Sequence, residues 1–242
     1  MYGWRLRIGL IVPSSNTTME PEFYRVCPEG VSIHTARVPL EEVTPDALVK
    51  MADYVLDAAK MLETADVNVI VYGCTSGTLI GGVEWERELT SKIERKTGVE
   101  TITTASAVVQ ALKALDMKRV VVATPYIDKI NESEKKFLEE HGVKVLFIKG
   151  LGIVKNIEIG KLAPWISYRL AKEVFKPEAD GIFISCTNFR TLEIIEKLER
   201  DLGKLVVTSN QASIWAALRT IKESIEGYGK LLREMPQTST ET

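Results

Sequence analysis

The chain has little of the chemistry that metal centres and disulfide frameworks need. Among its 242 residues are only three cysteines and two histidines. Three cysteines cannot all pair within one chain, and their spacing does not match a zinc site. Neither histidine, His34 or His141, belongs to a recognisable catalytic or metal-ligand pattern. We therefore predict no metal site, and reduced thiols in a cytoplasmic protein.

Long apolar runs and an excess of charge of one sign are also missing. No stretch approaches the roughly 20 apolar residues that span a bilayer. The apolar run at the start leads into Pro13-Ser-Ser-Asn16 instead of a cleavage site of small residues. Lys and Arg total 31 against 33 Asp and Glu, for a net charge of −2 without a basic stripe. The sequence therefore predicts neither a membrane nor a nucleic acid as a partner.

What the sequence does contain is a regular alternation of strand-like and helix-like segments. Hydrophobic residues make up 45% of the chain and charged residues 26%, which is typical of a globular protein. Residues 5–13, "RLRIGLIVP", are typical of a strand buried in a parallel sheet. Residues 44–65 read as an amphipathic helix, with Thr44 as its cap and Pro45 in its first turn. This alternation along the chain predicts an α/β fold with parallel sheets.

The pattern restarts in the middle of the chain, which indicates an internal repeat. Pro13 and Pro125 each end the first strand of a half, and they lie 112 residues apart. Cys74 and Cys186 each end a later strand, and they are also separated by 112 residues. We therefore predict two pseudo-symmetric halves, each a small doubly wound domain with a parallel sheet.

The repeat also predicts where the halves begin and end. The first half is expected at residues 1–115 and the second at 116–209. A last helix at 210–230 is expected to pack back on the first half, and 235–242 to be a disordered tail. Ligands of doubly wound sheets bind beyond the carboxyl ends of the strands. A cleft between the halves would therefore bring both cysteines to one ligand from opposite sides.

The segments around these cysteines, "YGCTSGT" and "SCTNFRT", predict a site for a small dicarboxylate. A thiol at a strand end meets backbone N–H groups and a positive helix terminus, which would lower its pKa. The hydroxyl and amide side chains that follow suit a carboxylate. One thiolate could add to carbon or remove a proton, while the other thiol returns a proton. Buried cysteines are often mere core residues, but the repeated placement favours a functional pair, whereas Cys27 is interpreted as structural.

Five segments, in order along the chain, carry a resemblance to a known family. They are "VPSSNTTMEPEF", "YGCTSGT", "ATPY", "GLGIVKNIEIG" and "SCTNFRT". Together they resemble the maleate cis–trans isomerases of the aspartate/glutamate racemase superfamily, whose relatives include arylmalonate decarboxylases and EutA-type ectoine-utilisation proteins. The resemblance covers almost the whole chain. It implies two flavodoxin-like halves with the active site in the cleft between them, no cofactor, and a homodimer or higher homo-oligomer.

The resemblance also implies roles for individual residues. Cys74 matches the nucleophilic cysteine of the family, and Cys186 matches the cysteine that handles the proton. The implied substrate-binding residues hold the carboxylates through side chains or backbone N–H groups: Asn16, Thr75, Ser76, Tyr126, Asn156, Thr187 and Asn188. Simpler interpretations stay open for three of them, because Asn16 could cap a helix, Tyr126 could be a packing aromatic and Asn156 could be a turn residue.

The reaction that the resemblance implies is the conversion of maleate to fumarate. The Cys74 thiolate would add to one alkene carbon while Cys186 protonates its neighbour, and bond rotation followed by elimination would give the trans acid. A racemase of aspartate or glutamate type stays open, since the same thiol pair can exchange a proton on two faces. Arylmalonate decarboxylases keep only the second cysteine, so Cys74 argues against that activity. A third alternative is a non-catalytic protein that binds a dicarboxylate or an ectoine-pathway metabolite.

Overall fold

Eight parallel strands in two separate sheets form the framework of this computed structural model, which describes residues 2–234. The first sheet contains β1 (Leu6–Pro13), β2 (Val31–Val38), β3 (Val69–Tyr72) and β4 (Glu100–Thr103). The second contains β5 (Arg119–Thr124), β6 (Lys144–Gly150), β7 (Gly181–Ile184) and β8 (Leu205–Thr208). The strand orders are β2-β1-β3-β4 and β6-β5-β7-β8, which is the flavodoxin-like order in both sheets. The predicted α/β class with two parallel sheets is confirmed.

Helices connect successive strands and cover the sheets. The α-helices of residues 2–234 are α1 (Met19–Val26), α2 (Pro45–Met51), α3 (Val55–Glu63), α4 (Thr75–Leu79), α5 (Gly82–Thr97), α6 (Thr104–Ala114), α7 (Asp128–Glu140), α8 (Asn156–Gly160), α9 (Pro164–Val174), α10 (Ile195–Leu202), α11 (Ser209–Leu218) and α12 (Lys230–Arg233). We call the part that builds β1–β4 the first half and the part that builds β5–β8 the second half.

Buried apolar side chains account for the strands. Every position of β3 and β7 is buried, and so is every position but one of β1 and of β5. Strands in the middle of a parallel sheet are covered by helices on both faces. This is why the sequence shows continuous apolar runs there instead of alternating apolar and polar residues.

Local signals set several of the helix boundaries. Thr44 accepts the N–H of Ala47 at 3.4 Å and caps α2. Gly98 ends α5 in the left-handed conformation, with a φ of 71°. The helix predicted at 44–65 is found in the expected place, but a 3-10 turn at Ala52–Tyr54 divides it into α2 and α3.

The last long helix, α11, leads from the second sheet to the first half, where it packs along α6. All of its residues are buried. The extent that we predicted for it, 210–230, is wrong, because α11 ends at Leu218 and a 3-10 turn follows. Lys222 then takes a left-handed conformation, with a φ of 49°. Charged residues begin at Arg219, and they cannot continue a helix that is buried on all sides.

The connection between the halves is short, since only residues 115–118 separate α6 from β5. The domain boundaries that we placed at 115 and 209 stay predictions. The tail predicted to be disordered, 235–242, lies outside the described residues.

A buried carboxyl group lies where the halves meet. Glu22 on α1 accepts hydrogen bonds from the Asn210 side chain at 2.6 Å and from the Thr191 N–H at 3.3 Å. Burial raises the pKa of Glu22 to about 7, and these two hydrogen bonds oppose the rise only in part. The folded chain therefore keeps a proton on Glu22 over a pH range in which the unfolded chain has lost it.

This predicts that stability falls as Glu22 ionises. A carboxyl group with a raised pKa in the folded state stabilises that state fully below the ordinary carboxyl pKa, and the contribution is lost as the pH rises through about 7. We expect the free energy of unfolding of the parent, relative to that of Glu22→Gln, to drop from about pH 5 to about pH 8. The expected drop is on the order of 1–3 kcal/mol, measured by urea unfolding at several pH values.

The matched control for this experiment is Glu132→Gln, because Glu132 is an exposed glutamate in the middle of a helix. Its free energy of unfolding should follow that of the parent at every pH. A constant difference between the parent and Glu22→Gln across the pH range would contradict the protonated state of Glu22.

Candidate active site

The two repeated cysteines lie at equivalent places in the two sheets. Cys74 is two residues beyond the end of β3, and Cys186 is two residues beyond the end of β7. Both are buried, with 3% and 6% of their surface exposed. They are close enough together that a charge on Cys74 raises the pKa of Cys186. The structure therefore brings the two strand ends to one place between the halves.

Cys74 is held at the beginning of α4. Its Sγ accepts the N–H of Gly77 at 3.3 Å and lies 3.8 Å from the hydroxyl oxygen of Ser76. Position 77 has no room for a side chain, because a Cβ there would lie 2.5 Å from the Met51 side chain and 3.0 Å from the Cys74 sulfur. The glycine of "CTSGT" thus allows the helix backbone to approach the sulfur closely.

Cys186 has a strained backbone. Its φ is 98°, a value that residues other than glycine rarely adopt. The sulfur accepts the N–H of Asn188 at 3.4 Å, and the N–H of Cys186 donates to the Ser209 hydroxyl at 3.0 Å. Such conformations persist where the surrounding contacts over-determine them, which occurs most often at functional sites.

Burial decides the protonation of both thiols. It raises the pKa of Cys74 to about 11, and hydrogen bonds from Gly77 and Ser76 oppose the rise only in part. Burial likewise raises the pKa of Cys186 to about 12. Our expectation that the strand-end position lowers these values is wrong, because removal from water disfavours the thiolate by more than the nearby donors stabilise it. Both thiols are neutral at pH 7 in this conformation.

Asn16 joins the first half to the loop of Cys186. Its Oδ1 accepts the N–H groups of Thr18 and Met19, at 3.0 and 2.9 Å, so it caps the start of α1. Its Nδ2 donates to the hydroxyl of Thr187 at 3.0 Å. The Asn16 side chain therefore both caps α1 and lies beside Cys186. Its amide oxygen accepts the capping hydrogen bonds, and its NH2 group faces the site.

Asn188 and Asn156 extend this network. Asn188 accepts the N–H of Thr17 at 2.8 Å and donates to the backbone carbonyl of Asn156 at 2.7 Å. The Asn156 side chain donates in turn to the hydroxyl of Ser15 at 2.8 Å. Asn156 is the first residue of α8 and is buried. Polar side chains of both halves therefore satisfy one another in the space next to Cys186.

Tyr126 lies near both sulfurs. It follows β5, and only 1% of its surface is exposed. Burial raises its pKa well above the ordinary value, and the charges of Cys186, Glu134 and Cys74 add to the rise. Its phenol is therefore neutral and able to donate a hydrogen bond at any pH at which the protein would work.

Two further buried groups at the site were not predicted from the sequence. Glu134 on α7 accepts the hydroxyl of Ser185, the residue before Cys186, and burial raises the pKa of Glu134 to about 8. Ser209 accepts the hydroxyl of Thr75 at 2.8 Å as well as the N–H of Cys186. Glu134 lies in the charged segment 131–140, where nothing in the sequence distinguishes it from exposed glutamates such as Glu132. Ser209 could have been found from the repeat, because it begins the helix after the last strand of its half.

The hydrogen-bond donors close to the two sulfurs are neutral groups. Arg190, the cation nearest to Cys186 in the sequence, is exposed and pairs with Glu193 at 2.6 Å. The donors near the sulfurs are backbone N–H groups, amides and hydroxyls. Among residues 2–234, no group of three or more His, Cys, Asp or Glu side chains is arranged to hold a metal ion. No helix in the same range is both long and apolar enough to cross a membrane.

Comparison with known proteins identifies the family. A family model described as arylmalonate decarboxylase matches residues 8–232. An arylmalonate decarboxylase of Bordetella bronchiseptica is 31% identical over 232 residues, which are 94% of this chain and 96% of that protein. A variant of the maleate isomerase Iso from Pseudomonas putida S16, crystallised with maleate, has a TM-score of 0.91 at 27% identity and covers 94% of this chain and 97% of its own.

A second solved structure is equally similar. It is a cysteine-to-serine mutant of the Nocardia farcinica maleate cis-trans isomerase with a covalently bound succinylcysteine intermediate. Its TM-score is 0.90 at 27% identity, over 94% of this chain and 98% of that one. The resemblance drawn from the five sequence segments is thereby confirmed. The chain belongs to the arylmalonate decarboxylase family.

Proposed function

We propose that this protein is a maleate isomerase, which converts maleate to fumarate with a pair of cysteines and without a cofactor. The observation that carries this proposal is the pair of buried thiols at opposed strand ends, each receiving a backbone N–H. Two similar structures support the reaction, because one was crystallised with maleate and the other contains a succinylcysteine intermediate. The four-carbon diacid is the ligand class that two such thiols would bracket.

The proposed reaction begins with Cys74 as a thiolate and Cys186 as a thiol. The Cys74 sulfur forms a bond to one alkene carbon, and the electron pair of the double bond takes the S–H proton of Cys186. The intermediate is a succinyl thioether with a freely rotating single bond. After rotation the Cys186 thiolate removes the proton and the carbon–sulfur bond breaks, which releases fumarate and restores both groups.

The proposed carboxylate ligands are neutral donors. Asn16, Tyr126 and Asn156 would supply side-chain N–H and O–H groups, and the residues after each cysteine would supply backbone N–H groups: Thr75, Ser76, Thr187 and Asn188. In this conformation the side-chain amides of Asn16 and Asn156 donate to hydroxyl groups of the opposite half, as Asn16 does to Thr187. A bound dicarboxylate would take over these donors. All three cysteines of the chain are free, and we propose a cytoplasmic location, where thiols stay reduced.

The alternatives are less well supported. Decarboxylases of the family keep only the second cysteine, whereas this chain has both Cys74 and Cys186. A racemase would use the same two thiols, but two maleate isomerase structures match the chain at TM-scores of 0.91 and 0.90. A purely binding function is less well supported, because one of the similar structures contains a covalently bound succinylcysteine intermediate.

The cysteine pair gives the first prediction for activity. We expect Cys74→Ser and Cys186→Ser to lower the rate of fumarate formation by at least about 10²-fold, because each removes one partner of the addition. Proton NMR of maleate in buffer measures this directly. Cys186→Ser should also accumulate a covalent adduct on Cys74, with a mass increase equal to one maleic acid molecule.

Cys27→Ser is the matched control, since Cys27 is half-buried and lies away from the site at the end of α1. It should retain the parent rate. Release of carbon dioxide from an arylmalonate, or deuterium uptake at the α-carbon of aspartate, without fumarate formation would replace the proposed reaction with one of the alternatives.

The raised thiol pKa values predict an alkaline rise in activity. Because the pKa of Cys74 is about 11 and that of Cys186 about 12, the thiolate fraction grows with pH through the neutral range. We expect log kcat/KM for maleate to increase with a slope of about one near pH 7, and less steeply above about pH 8, where Glu134 ionises and repels the dianion. A flat profile over this range would show that the nucleophile is already ionised at pH 7 and would contradict the dominance of burial.

We also propose that the protein forms a homodimer or higher homo-oligomer. Large apolar side chains are exposed on β6 and on the segments that follow it: Phe147, Leu151, Ile157 and Trp165. Exposed apolar groups of this size often mark contact surfaces between proteins. Light scattering should therefore give at least twice the chain mass of 27.0 kDa, and Trp165→Glu should lower it. A mass of one chain at high concentration would contradict this.

A further inference from the structure

The hydroxyl of Ser209 contacts both of the loops that carry the cysteines. Ser209 is the first residue of α11 and is fully buried. Its Oγ accepts the backbone N–H of Cys186 at 3.0 Å and the hydroxyl of Thr75 at 2.8 Å. Because Thr75 follows Cys74 directly, one oxygen atom joins the neighbour of one sulfur to the backbone of the other.

The first half contains a counterpart to this arrangement. Thr104 begins α6 after β4, as Ser209 begins α11 after β8. The Thr104 hydroxyl donates to the carbonyl of Tyr72 at the end of β3, at 3.2 Å. Ser213, one turn after Ser209, donates to the Thr104 hydroxyl at 3.1 Å. The last helix of the first half therefore anchors the strand end that precedes Cys74, whereas that of the second half anchors the N–H of Cys186 itself. Ser209 also bridges to the loop of the other cysteine.

We propose that Ser209 is a positioning residue that sets the placement of Cys186 relative to Cys74. This inference rests on the proposed function, in which both sulfurs must reach adjacent carbons of one molecule. The backbone of Cys186 is held at a φ of 98°, and its N–H bond to Ser209 is one of the contacts that keep it there. Loss of this bond lets the Cys186 loop relax away from the Cys74 loop.

The expected effect on kcat follows from the reaction step in which both sulfurs take part. Both are engaged in the transition state of addition and proton transfer, whereas binding of the carboxylates uses many other donors. We expect Ser209→Ala in the full chain to lower kcat for maleate by about 10- to 100-fold and to change KM by less than about threefold. Ser209→Thr, which keeps the hydroxyl, should recover most of kcat.

A second measurement is independent of turnover. Alkylation of Cys186 by iodoacetamide without maleate, followed by peptide mass spectrometry, should be about 10-fold faster in Ser209→Ala, because the loop is released. The matched control is Ser213→Ala, which removes another fully buried hydroxyl from the same helix but makes no contact with a cysteine loop. It should keep the parent alkylation rate of Cys186, because neither of its hydrogen-bond partners lies in the Cys186 loop.

The bridging role has its own test in a double-mutant cycle. Thr75→Val removes the other hydroxyl of the bridge, so it should accelerate alkylation of Cys186 in the parent but add nothing in Ser209→Ala. If Ser209→Ala does not fold, the measurement on Thr75→Val alone decides. An alkylation rate of Cys186 in Thr75→Val that equals the parent rate then overturns the proposal. Equal effects of Ser209→Ala and Ser213→Ala also overturn it. If the parent fails to isomerise maleate, the proposed function is wrong, while the alkylation rates still decide the role of Ser209.

Discussion

The burial of two thiols between two hydrogen-bonded halves is the constraint on which the rest of the structure depends. Polar groups removed from water must find partners in the protein. Here the partners come from the opposite half, as in the pairs Asn16–Thr187 and Thr17–Asn188. These directional contacts fix how the halves meet more tightly than apolar packing would, because a small displacement would break several of them together. The distance between the two sulfurs is thus a consequence of the amide network around them.

The same burial disfavours negative charge on several groups where the halves meet. It raises the pKa values of both thiols, and it also raises those of Glu22 to about 7 and Glu134 to about 8. A carboxylate that enters such a site meets hydroxyl, amide and N–H donors without a fixed negative charge beside them. Glu134, next to Ser185, adds no negative charge to the site while it is protonated. Its ionised form would repel a dianion and raise the pKa of Cys186 further.

The structural features that repeat along the chain could be predicted from the sequence. Features that depend on contacts between distant residues could not. The strand-helix alternation predicted two parallel sheets, and the shared spacing of Cys74 and Cys186 predicted equivalent strand ends. Thr44 and Gly98 set helix boundaries through local chemistry that a reader of the sequence can recognise. Glu134 and the thiol pKa values could not be predicted in this way, because both depend on how far tertiary packing excludes water. The early end of α11 was missed for a related reason, since only the fold shows that this helix is buried on every side.

The two halves are alike in topology but not in the environment of their sulfurs, and this asymmetry supports different roles for the two cysteines. Cys74 caps a helix and receives contacts from Gly77 and Ser76, whereas Cys186 lies in a left-handed turn with Glu134 close by. Burial raises the pKa of both thiols. Once Cys74 is charged, its field holds the proton on Cys186 more firmly. The unequal surroundings of this duplicated residue therefore support the proposal of a nucleophile on one side and a proton donor on the other.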